Sequence, residues 1–396
     1  MKEKHIDIIC FSISRTDAPI SSPGFSLAKE FSKTRRVFYI EHPHSLKDLL
    51  TEWKTNAISK RRRYWFGNSS PFRSYSPNLT IVTPPLTLPI NFLPEGSLYN
   101  WLAGWNDRRM FKLIRKLKHE FKIDDFIFIN FFDPFFCRQL PPDIRPRKYV
   151  YQSMDAISEV PYTARHGVRL ENEIISKADV TLCTSTALLE LHKSKSANVF
   201  LLPNGVAEDV FSTDARSLPV ELAEETRPVI GYIGSIEYRM DFLLLKTVVD
   251  MLPSYVFYFI GPIYEKGRVV EELRNYENVR FLGSKQLNEL PAYLRNFSAT
   301  IIPFKCNALT AKIYPLKINE YLMAGKPVVS TNFSPDIISF MPHVYIAESA
   351  QDFARQLTKA VAENDRKKVD ARIAIAKQNT WKVRVRQFFN ILERLD

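Results

Sequence analysis

The chain has 396 residues, of which 45% are hydrophobic and 25% charged, with a formal net charge of +12. That length exceeds what one hydrophobic core usually organises, so it favours two domains or one large α/β unit, and the composition excludes a disordered, low-complexity or fixed-repeat chain. Residues 1–200 hold 30 Lys and Arg against 20 Asp and Glu, while residues 201–396 hold 25 against 23, so the positive field belongs to the first half.

The opening MKEKHIDIICFSIS has early bases before an apolar run, but His5 and Asp7 interrupt it and it is too short to span a membrane. It reads as a first strand, Ile6 to Ile13. No apolar run anywhere reaches membrane-spanning length, so the chain is expected not to cross a bilayer. Further strands are expected at Val37 to Ile40, Phe126 to Asn130, Tyr149 to Gln152, Val180 to Cys183 and Val199 to Leu202, with helices at Phe25 to Lys33, Leu170 to Lys177 and Thr186 to His192. The Pro-, Ser- and Arg-rich stretch from His44 to Pro94 fits no regular element, and long irregular segments are usually functional or mobile.

Within this half, Arg61-Arg62-Arg63-Tyr64-Trp65-Phe66 and the segment Trp101 to Phe121 interleave bases with aromatics. Surfaces that meet anionic lipid headgroups are built this way; nucleic acid would accept the same charge, and a solvated basic face with inward aromatics is the plainer alternative. Cys10, Cys137, Cys183 and Cys306 stand far apart, which argues against a zinc site or disulfide framework and fits reduced, cytoplasmic surroundings. The N-x-S/T triplets at Asn68, Asn78 and Asn296 are then chance occurrences.

From Arg227 onward, strand and helix patterns alternate. Strands are expected at Val229 to Ile233, Val256 to Ile260, Val279 to Leu282, Thr300 to Pro303 and Val328 to Ser330, and helices at Phe242 to Met251, Arg268 to Tyr276, Leu287 to Phe297 and Leu316 to Ala324. Buried strands alternating with short helices imply a doubly wound parallel sheet. Leu201 to Val206, followed by the polar run Phe211 to Pro228, divides the chain into a first domain at 1–205 and a second domain at 206–380, with a final helix in 381–396 packing back at the junction.

In open parallel sheets, ligands bind beyond the carboxyl ends of strands, where free N–H groups and helix dipoles favour phosphate. Gly231-Tyr232-Ile233-Gly234-Ser235 ends a strand with small residues, and Tyr238, Arg239 and Asp241 follow; ordinary turn chemistry is the alternative. Further on, Tyr314-Pro315-Leu316-Lys317-Ile318-Asn319-Glu320 opens a short helix, with Pro315 suited to its first position and Gly325 to its stop. Lys317 can add a full charge to the dipole opposite a diphosphate, and Glu320 can accept from a ribose diol; the plain alternative is a surface ion pair worth a few tenths of a kcal/mol.

Taken together and in order, Pro203-Asn204-Gly205-Val206, Val229 to Gly234, Phe259-Ile260-Gly261-Pro262, Asn278 to Gly283, Leu290-Pro291-Ala292-Tyr293-Leu294, Ile302-Pro303-Phe304 and the Lys317 to Ser330 block resemble the GT-B glycosyltransferases, specifically the GT4-like glycosyl transferases group 1 of bacterial polysaccharide synthesis. The resemblance spans residues 200 to 335 closely and the first half loosely. It implies an α/β chain of two Rossmann-like doubly wound domains facing a cleft, with a nucleotide-sugar donor, UDP-linked, held by the second half. Gly234 and Ser235 would contact the donor phosphates, with Arg239 beside them. Lys317 would neutralise the leaving diphosphate, Glu320 would hold the ribose, and backbone around Phe281 and Gly283 would read the base. No ligand cluster calls for a metal, and no cofactor is implied.

Two departures from the family pattern bear on sugar and stereochemistry. Many retaining members carry a second Glu eight residues before the ribose-binding one, where this chain has Lys312, so Asn307 or Thr310 would have to contact the sugar ring. The Gly-rich acceptor loop is replaced by Arg15-Thr16-Asp17-Ala18-Pro19. Inverting relatives use an Asp as base, and Asp155, delivered by the strand ending Gln152-Ser153-Met154, is the candidate here; a turn or N-cap aspartate is the alternative, and His166 and Asp17 are weaker candidates. The reading is thus of a transferase acting on a glycan or lipid-linked acceptor, cytoplasmic or peripheral at the inner membrane face, without nucleic acid. A nucleotide-sugar epimerase, or a binding protein that kept the fold and lost turnover, are the competing readings.

Overall fold

The computed structural model describes residues 6–17, 22–159, 161–212 and 218–395, with the backbone alone at 161 and 162. His5, Ala18, Pro19 and the 213–217 part of the expected linker lie outside the described residues. The chain forms two compact units, one of Met1–Leu202 with Gln387–Asp396, the other of Pro203–Arg386.

The first unit runs β1 (Asp7–Ser12), α1 (Pro23–Phe31), β2 (Val37–Ile40), α2 (Leu46–Thr51), α3 (Asn56–Trp65), β3 (Phe72–Ser76), β4 (Leu79–Val82), α4 (Ser97–Phe121), β5 (Phe126–Phe131), β6 (Lys148–Ser153), α5 (Pro161–Lys177), β7 (Val180–Cys183), α6 (Thr186–His192) and β8 (Val199–Leu201). Its eight strands among the described residues lie in the order β3-β4-β2-β1-β5-β6-β7-β8. Only the β3–β4 pair is antiparallel, and every residue of β1, β2 and β5 is buried, as parallel strands covered on both faces require. Asp7 is tolerated in β1 because Arg36 grips its carboxylate at 2.8 and 2.6 Å.

The expectation that 44–94 holds no regular element is corrected: α2, α3, β3 and β4 lie there. The pattern was faint because α2 buries only Leu49 and α3 only Ile58 and Arg61, while β3 is a largely exposed edge. The expected basic-aromatic segment from Trp101 is part of the 25-residue helix α4, whose buried stripe includes Tyr99, Ala103, Asn106, Met110, Leu113, Ile114 and Leu117.

The second unit runs α7 (Glu208–Phe211), β9 (Val229–Ile233), α8 (Phe242–Met251), β10 (Val256–Ile260), α9 (Arg268–Arg274), β11 (Val279–Gly283), α10 (Leu290–Asn296), β12 (Ala299–Ile302), α11 (Leu316–Met323), β13 (Val328–Thr331), α12 (Pro335–Ile338), β14 (Tyr345–Ala347), α13 (Ala350–Val361) and α14 (Arg366–Lys377), then begins α15 (Trp381–Glu393), which ends in the first unit. Its sheet is wholly parallel in the order β11-β10-β9-β12-β13-β14. The centre is tightly packed: a Cβ at Gly231 would stand 1.9 Å from the Phe297 ring, so only glycine admits that ring over β9.

Candidate functional site

Three neighbouring strands of the second unit, β9, β10 and β11, end in glycines with positive φ: Gly234 at 147°, Gly261 at 146° and Gly283 at 69°. These turns interlock through the backbone. Gly234 N–H donates to the Ile260 carbonyl at 2.8 Å, and Gly261 N–H donates to the Gly283 carbonyl at 2.8 Å. A Cβ at Gly261 would lie 2.0 Å from the Gly234 oxygen, so the two turns touch with no room for a side chain. The strand ends therefore present bare backbone, with the Ser235 carbonyl held by the Tyr232 hydroxyl at 2.8 Å.

Helix α11 meets the same place. Its residue Tyr321 accepts from Ile233 N–H at 2.8 Å and donates to the Ile233 carbonyl, which fixes the helix against the end of β9. Behind it, the buried Asn319 amide donates to the Asn204 carbonyl at 3.2 Å and to the Tyr314 hydroxyl at 3.0 Å, while Asn204 returns a bond to the Tyr314 carbonyl. Pro315 is the residue before the helix rather than its first residue, and no side chain caps that end. Ile318 N–H donates to the Pro315 carbonyl at 3.3 Å, and the N–H groups of Leu316 and Lys317 are left for water or an anion. Gly325, at φ 72°, follows the helix as expected from its sequence.

Lys317 lies one turn before Tyr321, with Nζ 3.2 Å from where a Gly234 Cβ would be and over the rings of Tyr232 and Phe304 at 5.1 and 4.9 Å. Among the described residues neither Lys317 nor the Glu320 side chain makes a hydrogen bond or ion pair, so the alternative of a Lys317–Glu320 surface pair is not what the structure shows. Burial, helped by the nearby Arg239 charge, lowers the Lys317 ammonium to about 8. Burial likewise pushes Glu320 up to about 7 against the pull of Lys317. Two partnerless ionisable groups beside an uncapped helix end and a bare glycine turn form a site that favours a ligand carrying both negative charge and hydroxyls.

The other sequence-selected residues take varied places. Arg239 pairs with Glu237 at 2.6 Å, and its carbonyl receives Lys305 N–H at 2.9 Å. Phe281 is stacked on Phe259 at 5.0 Å beneath the Arg274 guanidinium, so its ring is packing, and any contact from this segment falls to the backbone around Gly283. Thr310 is fully buried, and its hydroxyl donates to the Lys305 carbonyl, while Asn307 Oδ1 accepts from Thr310 N–H at 3.0 Å. Both serve the loop that precedes α11, which corrects the expectation of a sugar contact by the Thr310 hydroxyl.

In the first unit, Asp155 stands half-buried two residues beyond β6. Its position is set by neighbours: Thr184 donates to the Ser153 and Met154 carbonyls at 3.1 and 2.9 Å, and Ser153 donates to the buried Glu171 at 3.0 Å. His166 is corrected to a packing residue, buried, stacked on Tyr99 at 4.1 Å and donating to the Leu93 carbonyl at 2.9 Å. Asp17 is held by Arg61 at 2.5 Å, and Arg61 also grips the buried Glu41 at 2.8 Å. Sequence reasoning missed the pair of His42 and Asp133, 2.6 Å apart and 91 residues apart in the chain. Asp133 is wholly buried and fixed by Phe135 N–H at 3.0 Å, whereas the His42 side chain keeps 23% exposure. A carboxylate on Nδ1 orients such a ring with its other nitrogen able to take a proton.

Residues 227–363, which hold all of these turns and α11, match the family model described as Glycosyl transferases group 1. A curated relative from Bacillus subtilis (strain 168), named "Putative teichuronic acid biosynthesis glycosyltransferase TuaH", is 30% identical over 227 residues, covering 55% of this chain and 57% of its own length. The chain thus spans little more than half of that relative. Among solved structures, sucrose-phosphate synthase from Thermosynechococcus elongatus superposes with a TM-score of 0.67 at 13% identity, over 99% of both chains. Anabaena HepE in complex with UDP and glucose superposes with a TM-score of 0.64 at 14% identity, over 97% of this chain and 99% of that one. At such identities the likeness is one of fold. The protein has the GT-B fold, with two Rossmann-like α/β units. Its segment 227–363 is similar to the glycosyl transferases group 1 family.

Proposed function

We propose that the protein is a glycosyltransferase that moves a sugar from a UDP-linked donor to a glycan or lipid-linked glycan acceptor in bacterial surface polysaccharide synthesis, working in the cytoplasm at the inner membrane face. The observation that carries this reading is Lys317, unpaired and next to Gly234 at the uncapped start of α11. Breaking the anomeric bond gathers negative charge on the departing diphosphate, and a fixed ammonium with first-turn N–H groups stabilises that charge without rearranging. The Gly234–Ser235 turn leaves space for the phosphates, Glu320 accepts from the ribose hydroxyls, and backbone near Gly283 faces the base. The family match over the donor segment and the UDP in the HepE structure support the choice of nucleotide.

Titration calorimetry with UDP and with GDP tests the site. UDP is expected to bind in the micromolar range and Lys317→Ala to weaken it about tenfold or more; binding of neither nucleotide would replace this reading with a non-catalytic binding protein. Proton removal from the acceptor falls to a base on the first unit. Asp155 is the carboxylate read from the sequence, and the His42–Asp133 pair is a second reading favoured by its 2.6 Å contact. Asp155→Asn and His42→Ala separate them: the base variant keeps UDP affinity and loses about 100-fold or more in kcat, and full turnover in both would remove the two residues from the mechanism.

A further inference from the structure

We propose that the α2–α3 face of the first unit seats the protein on an anionic lipid surface. This deepens the functional reading, which supplies a reason to be at a membrane, but it stands on separate observations. Four large apolar side chains protrude there: Leu50 is 79% exposed, Phe66 64%, Trp53 44% and Leu46 42%. They do not loosen the fold, because the opposite side of the pair is firmly held. Leu49 and Ile58 pack with Leu86, Trp65 Nε1 donates to the Pro84 carbonyl at 2.9 Å, and Arg61 is gripped by Asp17 and Glu41.

The charges around these side chains are uncompensated. Lys47, Lys54, Lys60 and Arg63 are exposed, and among the described residues none makes an ion pair; Arg62 lies over the Trp53 ring at 4.2 Å. The local acids cannot balance them, since Asp48 closes the capping box with Ser45 and only Glu52 remains. Elsewhere on the same unit several surface bases do find carboxylates, as in Lys33–Glu30, Arg115–Asp143, Lys177–Glu173 and Lys193–Glu190, while scattered ones such as Lys112 and Lys122 make no ion pair among the described residues. Unpaired bases ringing exposed Leu, Trp and Phe match a headgroup layer, where the cations meet phosphate and the apolar tips enter the acyl boundary. Nucleic acid would use the bases but would give Leu46 and Leu50 nothing to bury against.

Other exposed apolar side chains of this unit lie near the start of α4. Ser45 bridges Thr87, Asn106 bonds both the N–H and the carbonyl of Leu88, and beyond that strip Phe92, Leu98 and Trp101 are 67%, 60% and 63% exposed.

The test is cosedimentation of the full chain with phosphatidylglycerol–phosphatidylcholine vesicles and with phosphatidylcholine vesicles alone. Two triple variants, L50S/W53A/F66A and K54Q/K60Q/R63Q, are compared with the control Leu243→Ala, a leucine 69% exposed on the second unit. Each protein is also titrated with UDP, which reports that its second unit is intact, and its far-UV circular dichroism reports the rest. Binding to the anionic vesicles alone, weakened about tenfold in each triple variant and unchanged in the control, is the expected result. No vesicle binding by the unaltered chain, undiminished binding by both triple variants, or tighter binding to duplex DNA or RNA than to vesicles would overturn it. Vesicle binding without UDP binding would overturn the donor reading and leave this one standing.

Discussion

Lys317 and Glu320 are held in surroundings that cost the protein stability. With Lys317 lowered from 10.5 to about 8, its charging penalty is present in full below about pH 8, shrinks as pH rises toward 10.5 and vanishes above. With Glu320 raised from 4.5 to about 7, the penalty of ionisation is full above about pH 7 and is relieved as pH falls toward 4.5. Replacing both by neutral side chains of similar size, K317M/E320Q, is expected to stabilise the protein by about 1–3 kcal/mol near neutral pH and to abolish UDP binding. A loss of stability in denaturant titration would show that the two groups support each other instead. Because the binding form of Lys317 is charged, UDP affinity should also fall about tenfold between about pH 7 and about pH 9, with a flat profile in Lys317→Ala. At this scale the sequence revealed which residues to watch, since helix punctuation and family motif surround Lys317 and Glu320. It could not reveal that they lack partners, nor that His42 meets Asp133, because partners far apart in the chain leave no local pattern.

At the scale of elements, the glycine turns differ in how much they tolerate. Ala at Gly261 would combine a strained φ with a Cβ 2.0 Å from the Gly234 carbonyl, so it must displace the neighbouring turn. Ala at Gly283 meets open space and suffers only the backbone strain. Gly261→Ala is expected to cost about 2–4 kcal/mol and most of the UDP affinity, against about 1 kcal/mol for Gly283→Ala, as read from urea midpoints. Equal effects would mean that the turns do not interlock. The parallel strands leading to these turns were legible as unbroken apolar runs: Val229–Ile233 and Val256–Ile260 coincide with β9 and β10. Elements that bury only one or two residues, such as α2, α3 and β3, carry too little periodicity to read. The segment holding β14, α13 and α14 carries no expected element, although α13 buries Phe353, Ala354, Leu357 and Ala360 at helical spacing.

At the scale of the whole molecule, the first unit is discontinuous in sequence. Phe31 of α1 packs edge-on against Phe388 and Phe389 at 5.0 and 5.8 Å, and Lys148 bonds the Leu395 carbonyl at 3.0 Å. A chain stopped at Arg386 should lose about 3–5 kcal/mol from the first unit by calorimetry, as removal of a large buried aromatic does, while the second unit keeps its UDP affinity. An unchanged transition would show that these residues only decorate the surface.

That discontinuity sets an order of events on the ribosome. Residues 1–202 emerge before the glycine turns and α11 exist, yet Phe31 must wait through the synthesis of the second unit for Phe388 to arrive. The half whose synthesis starts first is completed only after the second unit has been made, and a nascent chain carries an uncovered aromatic in α1 until Phe388 has been added.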